Sequence, residues 1–391
     1  MHSQYFNLKQ TNTQINKSRR SKFAAGAIMI VGTVASVALY QHLNDYTSVQ
    51  MTLFGSSELN ETQMAFLRFI AEHGKTYATK SHYHSKFETF AKNYQDIKEH
   101  NSVNEHFKKE INKFADMTVD EFNEEYHKFG LKLPDLETRN KHSRPHLQAA
   151  PSDKEETLAD KVDWREANKV SDSIDQASCG SCWAFTTATT MESLHAIKNG
   201  TGPNKFSVQY LIDCDSGNYG CGGGWMLDAY TWVKKNGIVK ESDYPRHYQR
   251  SKGACADTKD KEKFYNHDQN EEDNVTNDRL KKLISERPVG VAMHSNPSCL
   301  MAYKSGILRD QDCKCSDEKK QVNHAVAIVG YGTAENNSDC VGYWLIKNSW
   351  GTKWGDGGFF KLCIPHEEED KNLKTGTCQI KSYVQYPILN E

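Results

Sequence analysis

Asp175-Gln-Ala-Ser-Cys-Gly-Ser-Cys-Trp-Ala-Phe185 places a cysteine at the head of a run that continues to Lys198 and stops at Asn199-Gly200. The run predicts a buried helix that begins at Cys182 and is closed by the Asn-Gly pair. A thiol at such a start faces unpaired backbone N–H groups and the positive end of the helix dipole, and both favour the thiolate. Two further segments supply partners for that sulfur. Asn323-His324-Ala-Val-Ala-Ile-Val-Gly-Tyr-Gly332 offers an imidazole, and Lys347-Asn348-Ser-Trp350-Gly-Thr-Lys-Trp-Gly355 offers an amide. A histidine can hold the proton and return it to a leaving amine. An asparagine on its far ring nitrogen orients the ring without adding an anion that competes with the thiolate.

Taken singly, each residue has an ordinary reading. Cys179 and Cys182 are spaced like a redox pair or half a zinc site, but the preceding Val170–Gln176 is polar and loop-like rather than a buried strand. His324 alone would be a core histidine and Asn348 a turn residue. Their joint occurrence in this order is what points to nucleophilic catalysis. Gly351, Gly355, Gly357 and Gly358 serve turns, since no Lys-Ser/Thr pair follows to make a phosphate loop.

The Cys-Gly-Ser-Cys-Trp run resembles the local signature of papain and the cathepsins, in which His and Asn follow about 130 to 150 residues downstream. His324 lies 142 residues beyond Cys182 and Asn348 lies 166 beyond, a small excess that a surface insertion allows. From about Val162 to Glu391 the chain resembles this family throughout. The resemblance implies that Cys182 is the nucleophile, His324 the base and Asn348 its orienter. It implies that Gln176 joins the Cys182 N–H in an oxyanion hole, and that Trp350 covers the His324–Asn348 bond. Gly223 and Gly224 resemble the strip that pairs with extended substrate, and Gly222 departs from the Asn common there. Trp225, Met226, Ala292, Val322, Asn323 and Tyr383 fall at substrate-binding positions, most of them in the main specificity pocket. Their apolar and aromatic character implies a hydrophobic residue two before the scissile bond. No paired-His insertion appears between Cys221 and Cys255, which favours endopeptidase action.

The chain has 391 residues, 37% of them hydrophobic, a net charge of −2 and 11 cysteines, all from Cys179 onward. That charge suggests no nucleic-acid partner, and neither cofactor nor metal is implied. Removing the nucleophile leaves an even number of cysteines, as disulfides in an oxidising compartment require. The resemblance pairs Cys179 with Cys221, Cys214 with Cys255, and Cys378 with Cys313 or Cys315. It leaves the rest, including Cys299, Cys340 and Cys363, unassigned.

Upstream, Phe66, Phe69, Ile70, Phe87, Phe90, Tyr94 and Ile97 recur at helical spacing. Phe90, Asn93, Ile97 and Asn101 resemble the interrupted helix motif of cathepsin L-like propeptides, with His82 and Lys86 as departures. Asn112-Lys-Phe114-Ala-Asp116 resembles the motif that follows it, with Glu110 in place of Gly. These imply an inhibitory propeptide that lies in the cleft and is removed on activation. Further upstream, basic residues 1–22 and the uncharged stretch 23–40 read as a cytosolic tail and a signal anchor, with Ser36-Val-Ala38 leaving a cleaved signal peptide open.

The expected organisation is a tail at 1–22, a membrane span at 23–40, a linker at 41–60, an inhibitory domain at 61–118, a processing linker at 119–157 and a peptidase at 158–391. The expected fold is α+β, a helical domain beside a β-barrel-like one, preceded by the helical prosegment and the anchor. The chain reads as a monomer that acts on proteins and peptides, is inhibited by its own propeptide, and is held as a single-pass type II membrane precursor with its catalytic part in the lumen of an endolysosome or vacuole. Two other classes remain: a catalytically silent binding protein, disfavoured because all five site residues are present, and an acyl transferase to amines.

Overall fold

The computed structural model describes residues 59–128, 130–134, 158–315, 322–334, 339–366 and 374–389. The expected tail, membrane span and nearly all of the linker that follows lie outside them, as do residues 135–157 of the processing linker. The described residues from Phe66 onward form a single unit.

The prosegment contributes α1 (Glu61–His73), α2 (Lys80–Val103), strand β1 (Phe107–Lys109) and the short helix α3 (Val119–Phe122). Phe66, Phe69, Phe90 and Ile97 are buried where α1 meets α2, with the Phe66 and Phe90 rings 5.0 Å apart. The asparagines of α2 have a mechanical role. Asn93 Nδ2 donates to the carbonyls of Ala115 and Met117, and Asn101 pairs in both directions with the backbone of Lys109. They tie the chain after α2 back onto it, so the two propeptide motifs act as one unit. Lys86 pairs with Glu121, and Asp116 takes both Lys75 Nζ and the Tyr77 hydroxyl.

The catalytic part opens with strand β2 (Val162–Asp163), followed by α4 (Cys182–Lys198), α5 (Val208–Cys214) and α6 (Met226–Asn236). Ser207 caps α5 by accepting from Tyr210 N at 3.1 Å. Next come β3 (Asp268–Glu272), α7 (Asn277–Glu286), β4 (Val289–Met293), β5 (Tyr303–Leu308), β6 (His324–Thr333), β7 (Cys340–Lys347), β8 (Phe359–Pro365) and β9 (Val384–Ile388). The strands run β1-β5-β8-β7-β6-β4-β9-β3 in space, with β2 pairing beside β6. One core lies among α4, α5 and α6, and a second fills the β half. This is the expected α+β pairing of a helical and a β-rich half.

The prosegment is built into the second core. Phe107, Phe114, Met117, Phe122 and Tyr126 share it with Trp350, Trp354 and Tyr303. Strand β1 pairs antiparallel with β5, an added edge strand whose backbone bonds bind without reading sequence. Gly306 permits this approach: it has φ 96°, and a Cβ there would lie 2.3 Å from the His106 carbonyl oxygen. Residues 119–128 and 130–134, which fall in the expected processing linker, pack on the rest of the chain: Phe122 and Tyr126 enter the core of the β half, and Lys132 N donates to Gly224 O.

Five disulfides join Cys179–Cys221, Cys214–Cys255, Cys299–Cys313, Cys315–Cys378 and Cys340–Cys363, leaving Cys182 as the free cysteine.

Candidate active site

Cys182 is the first residue of α4, and its side chain is fully buried. His324 is the first residue of β6, and Asn348 immediately follows β7. Adjacent antiparallel strands therefore bring the histidine and asparagine together. Asn348 Oδ1 accepts from Ser349 N at 2.8 Å and lies 2.8 Å from His324 Nε2. An oxygen that already receives a backbone N–H must receive the ring's proton too, so Nε2 carries the hydrogen and Nδ1 carries the lone pair. That Nδ1 is buried with no hydrogen-bond partner. The Trp350 ring lies over the imidazole, with centroids 5.3 Å apart, and shields the bond from water.

The Cys182 Sγ donates to the carbonyl oxygen of Gly130 at 3.2 Å. A Cβ on Gly130 would meet Asn323 O at 3.1 Å and Cys182 Sγ at 3.3 Å, so the prosegment backbone passes between the cysteine and the strand that bears His324. Burial pushes the Cys182 thiol up to about 12, against backbone hydrogen bonds that act the other way. It holds His324 down to about 4, opposed by the bond to Asn348. Beneath the prosegment both groups are neutral.

Gln176 is buried beside them. Its Nε2 donates one hydrogen to Cys179 O at 3.1 Å, its Oε1 accepts from the Ser349 hydroxyl, and one N–H remains for another acceptor. Trp225, Ala292, Val322 and Tyr383 form an apolar cluster together with Leu227, and prosegment Leu131 packs against it. Trp225 and Tyr383 meet edge to face at 5.5 Å. Behind them Glu271 is buried, its Oε2 taken by Trp225 Nε1 and Gln385 Nε2. Met226 departs from expectation. As the first residue of α6 it turns into the core of the helical half, and Leu227 takes the place at the pocket. Lys132 N donates to Gly224 O at 3.0 Å, and Leu131 bridges Gly224 in parallel orientation. Gly223 O is occupied by Tyr219 N. Asn323 is pinned by Ser295, whose N–H it accepts at 2.8 Å.

Three contributors escaped the sequence reading. Gly130, Leu131 and His127 lie in what was read as a processing linker. The Leu after a Gly, just downstream of the aromatic run Phe122–Tyr126, was the available signal.

Residues 158–388 match the family described as papain family cysteine protease, and residues 66–122 match the cathepsin propeptide inhibitor domain.

The chain belongs to the papain family of cysteine proteases.

Vignain from Phaseolus vulgaris is 35% identical to it over 314 residues, 78% of this chain and 80% of its own. The viral cathepsin of Adoxophyes honmai nucleopolyhedrovirus is 36% identical over 318 residues, 78% and 87%. Among solved structures, digestive procathepsin L 3 of Tenebrio molitor larval midgut superposes with a TM-score of 0.71 at 29% identity, over 85% of this chain and all of that one. A recombinant stem bromelain precursor gives 0.69 at 27% identity with the same coverage. This papain-family protease is a cysteine-type endopeptidase made with its own inhibitory propeptide.

One expectation is corrected. No helix among the described residues is long and apolar enough to cross a membrane, and the stretch 23–40 lies outside them. The matched families account for 66–122 and 158–388. The single-pass membrane precursor in an endolysosome or vacuole is not retained.

Proposed function

We propose that this zymogen hydrolyses peptide bonds through Cys182, His324 and Asn348, and that loss of the prosegment in acid switches it on. One observation carries the reading: the chain's own residues 130–132 lie extended through the cleft, Gly130 at the sulfur, Leu131 at the apolar pocket and Lys132 on Gly224. The segment meets the nucleophile with a carbonyl oxygen accepting its S–H, which occupies the sulfur without offering it a bond to cleave.

Once the segment leaves, water relieves the burial that keeps the thiol protonated, and the start of α4 favours the anion. The thiol proton passes to His324 Nδ1, the atom left with a lone pair. Attack on the scissile carbonyl puts negative charge on its oxygen, which the Cys182 N–H and the spare Gln176 N–H are placed to receive. His324 then protonates the leaving amine, the carbonyl carbon stays on sulfur, and water attacks to release the acid half. Asn348 keeps the ring in one tautomer throughout.

The apolar cluster favours a hydrophobic side chain two before the cut, and the engagement of Glu271 Oε2 by Trp225 and Gln385 occupies that carboxylate rather than leaving it for a basic one. The test is to incubate the zymogen and Cys182→Ser at pH 5 with a thiol reductant. Propeptide loss and reporter cleavage are expected only with Cys182 present. If neither appears after another protease has clipped the prosegment, the silent-binding reading replaces this one.

A further inference from the structure

The prosegment shows which end of the cleft is which. Before Gly130 it lays Phe122, Tyr126 and His127 against Trp350, and His127 against His324 as well; after it, Leu131 and Lys132 run toward the apolar pocket and Gly224. The group that protonates the leaving amine is His324, so the Trp350 end holds the leaving half of the substrate.

Asp175 lies at that end. It bridges Trp350 in antiparallel fashion, next to the pairing of Gln176 N with Ser349 O at 2.8 Å. Its carboxylate is fixed by the enzyme's own backbone: Oδ1 accepts from Ala177 N at 3.0 Å, and its Cβ rests against Gly351, where a Cβ would come within 3.3 Å. In the zymogen the Lys113 ammonium donates to this same Oδ1. Lys113 is steadied in turn by the faces of prosegment Phe114 and Tyr126, at 4.8 and 5.3 Å. Lys113, Phe114 and Tyr126 all depart with the prosegment, while the pinned carboxylate remains.

We propose that Asp175 is a specificity determinant for the leaving half of the substrate, selecting a basic side chain there as it holds Lys113 in the zymogen. The inference rests on the peptidase reading above. The Asp175 side chain is 31% exposed even under the prosegment, so it is reachable, and its pairing with a cation is screened and modest.

The test uses mature enzyme and internally quenched peptides that share Leu two before the cut and carry Lys, Ala or Glu at the first, second or third position after it. At one of these positions kcat/KM should fall in the order Lys, Ala, Glu, with Lys over Glu by about tenfold at low salt and less at high salt. Asp175→Asn should bring that ratio near one, and Asp175→Lys should reverse it. A ratio is independent of how much enzyme is active, and the wild-type ratios decide the matter even where a variant fails to fold. Equal rates for Lys, Ala and Glu at all three positions, or a Lys preference that survives Asp175→Asn, would overturn the proposal and leave the peptidase reading standing. If no peptide is cut by enzyme whose Cys182 reacts with iodoacetamide, both fall together.

Discussion

The carbonyl oxygen of Gly130 accepts the S–H of Cys182 at 3.2 Å, so the prosegment touches the reactive atom itself. A side chain at 130 is crowded, because its Cβ would press on Asn323 O at 3.1 Å and on Sγ at 3.3 Å. Gly130→Val should force the backbone off the sulfur at a cost of about 1–3 kcal/mol in seating. The zymogen should then show residual activity on a small peptide that is at least severalfold above wild type. Unchanged residual activity would mean that inhibition lies elsewhere in the prosegment.

Asn348 acts through His324 rather than on substrate. Asn348→Ala removes the acceptor that holds Nε2–H and should lower kcat by roughly a hundredfold with a smaller effect on KM. Steady-state kinetics on prosegment-free enzyme checks this, and a change confined to KM would contradict the assigned role.

His127 gives activation a direction with pH. Burial, followed by the neighbouring His324 and His294, holds its imidazole down to about 3 from an ordinary 6.5, while Asn123 and Ser295 take its two nitrogens. A group whose value is lowered in the closed form supports closure fully above its open-form value. That support drains away as pH falls from 6.5 toward 3, since only the open form takes up the proton. His324, held near 4, acts in the same sense. Maturation should accelerate between pH 6.5 and 5, and His127→Gln should flatten part of that rise. Propeptide loss followed by electrophoresis across pH reads it out, and an identical profile for the variant would exclude His127.

Tyr383 narrows the apolar pocket against Trp225. Among peptides that differ two before the cut, Leu should exceed Asp and Arg in kcat/KM, and Tyr383→Ala should raise the Phe-to-Leu ratio severalfold. A ratio that does not move would place Tyr383 outside the pocket in solution.

The bounds of α4 were legible because Lys198 and Asn199-Gly200 close the run that Cys182 opens, and the observed helix keeps them. Strand β6 includes the tail Gly330–Thr333, which pairs with β7 past a bulge and with β2, partners that periodicity does not reveal. The choice between Cys313 and Cys315 was closed to the sequence. Lys314 between them is left-handed, with φ and ψ both 49°, and the two cysteines bond away from each other, to Cys299 and to Cys378. Met226 and Leu227 were confused because one step along a helix changes the buried face, and the helix begins at that step. The seating of Gly130, Leu131 and Lys132 in the cleft was hidden because a segment that docks on a distant site carries no hydrophobic period of its own, and a Leu after a Gly is a faint trace of it.

With ten of its eleven cysteines locked in pairs, the chain has a single reactive thiol, and that thiol is covered in the precursor. An alkylating reagent can therefore serve as a molecular counter. The moles of label taken up under native conditions equal the moles of uncovered cleft, so the fraction of the population that has matured can be read by mass without any substrate.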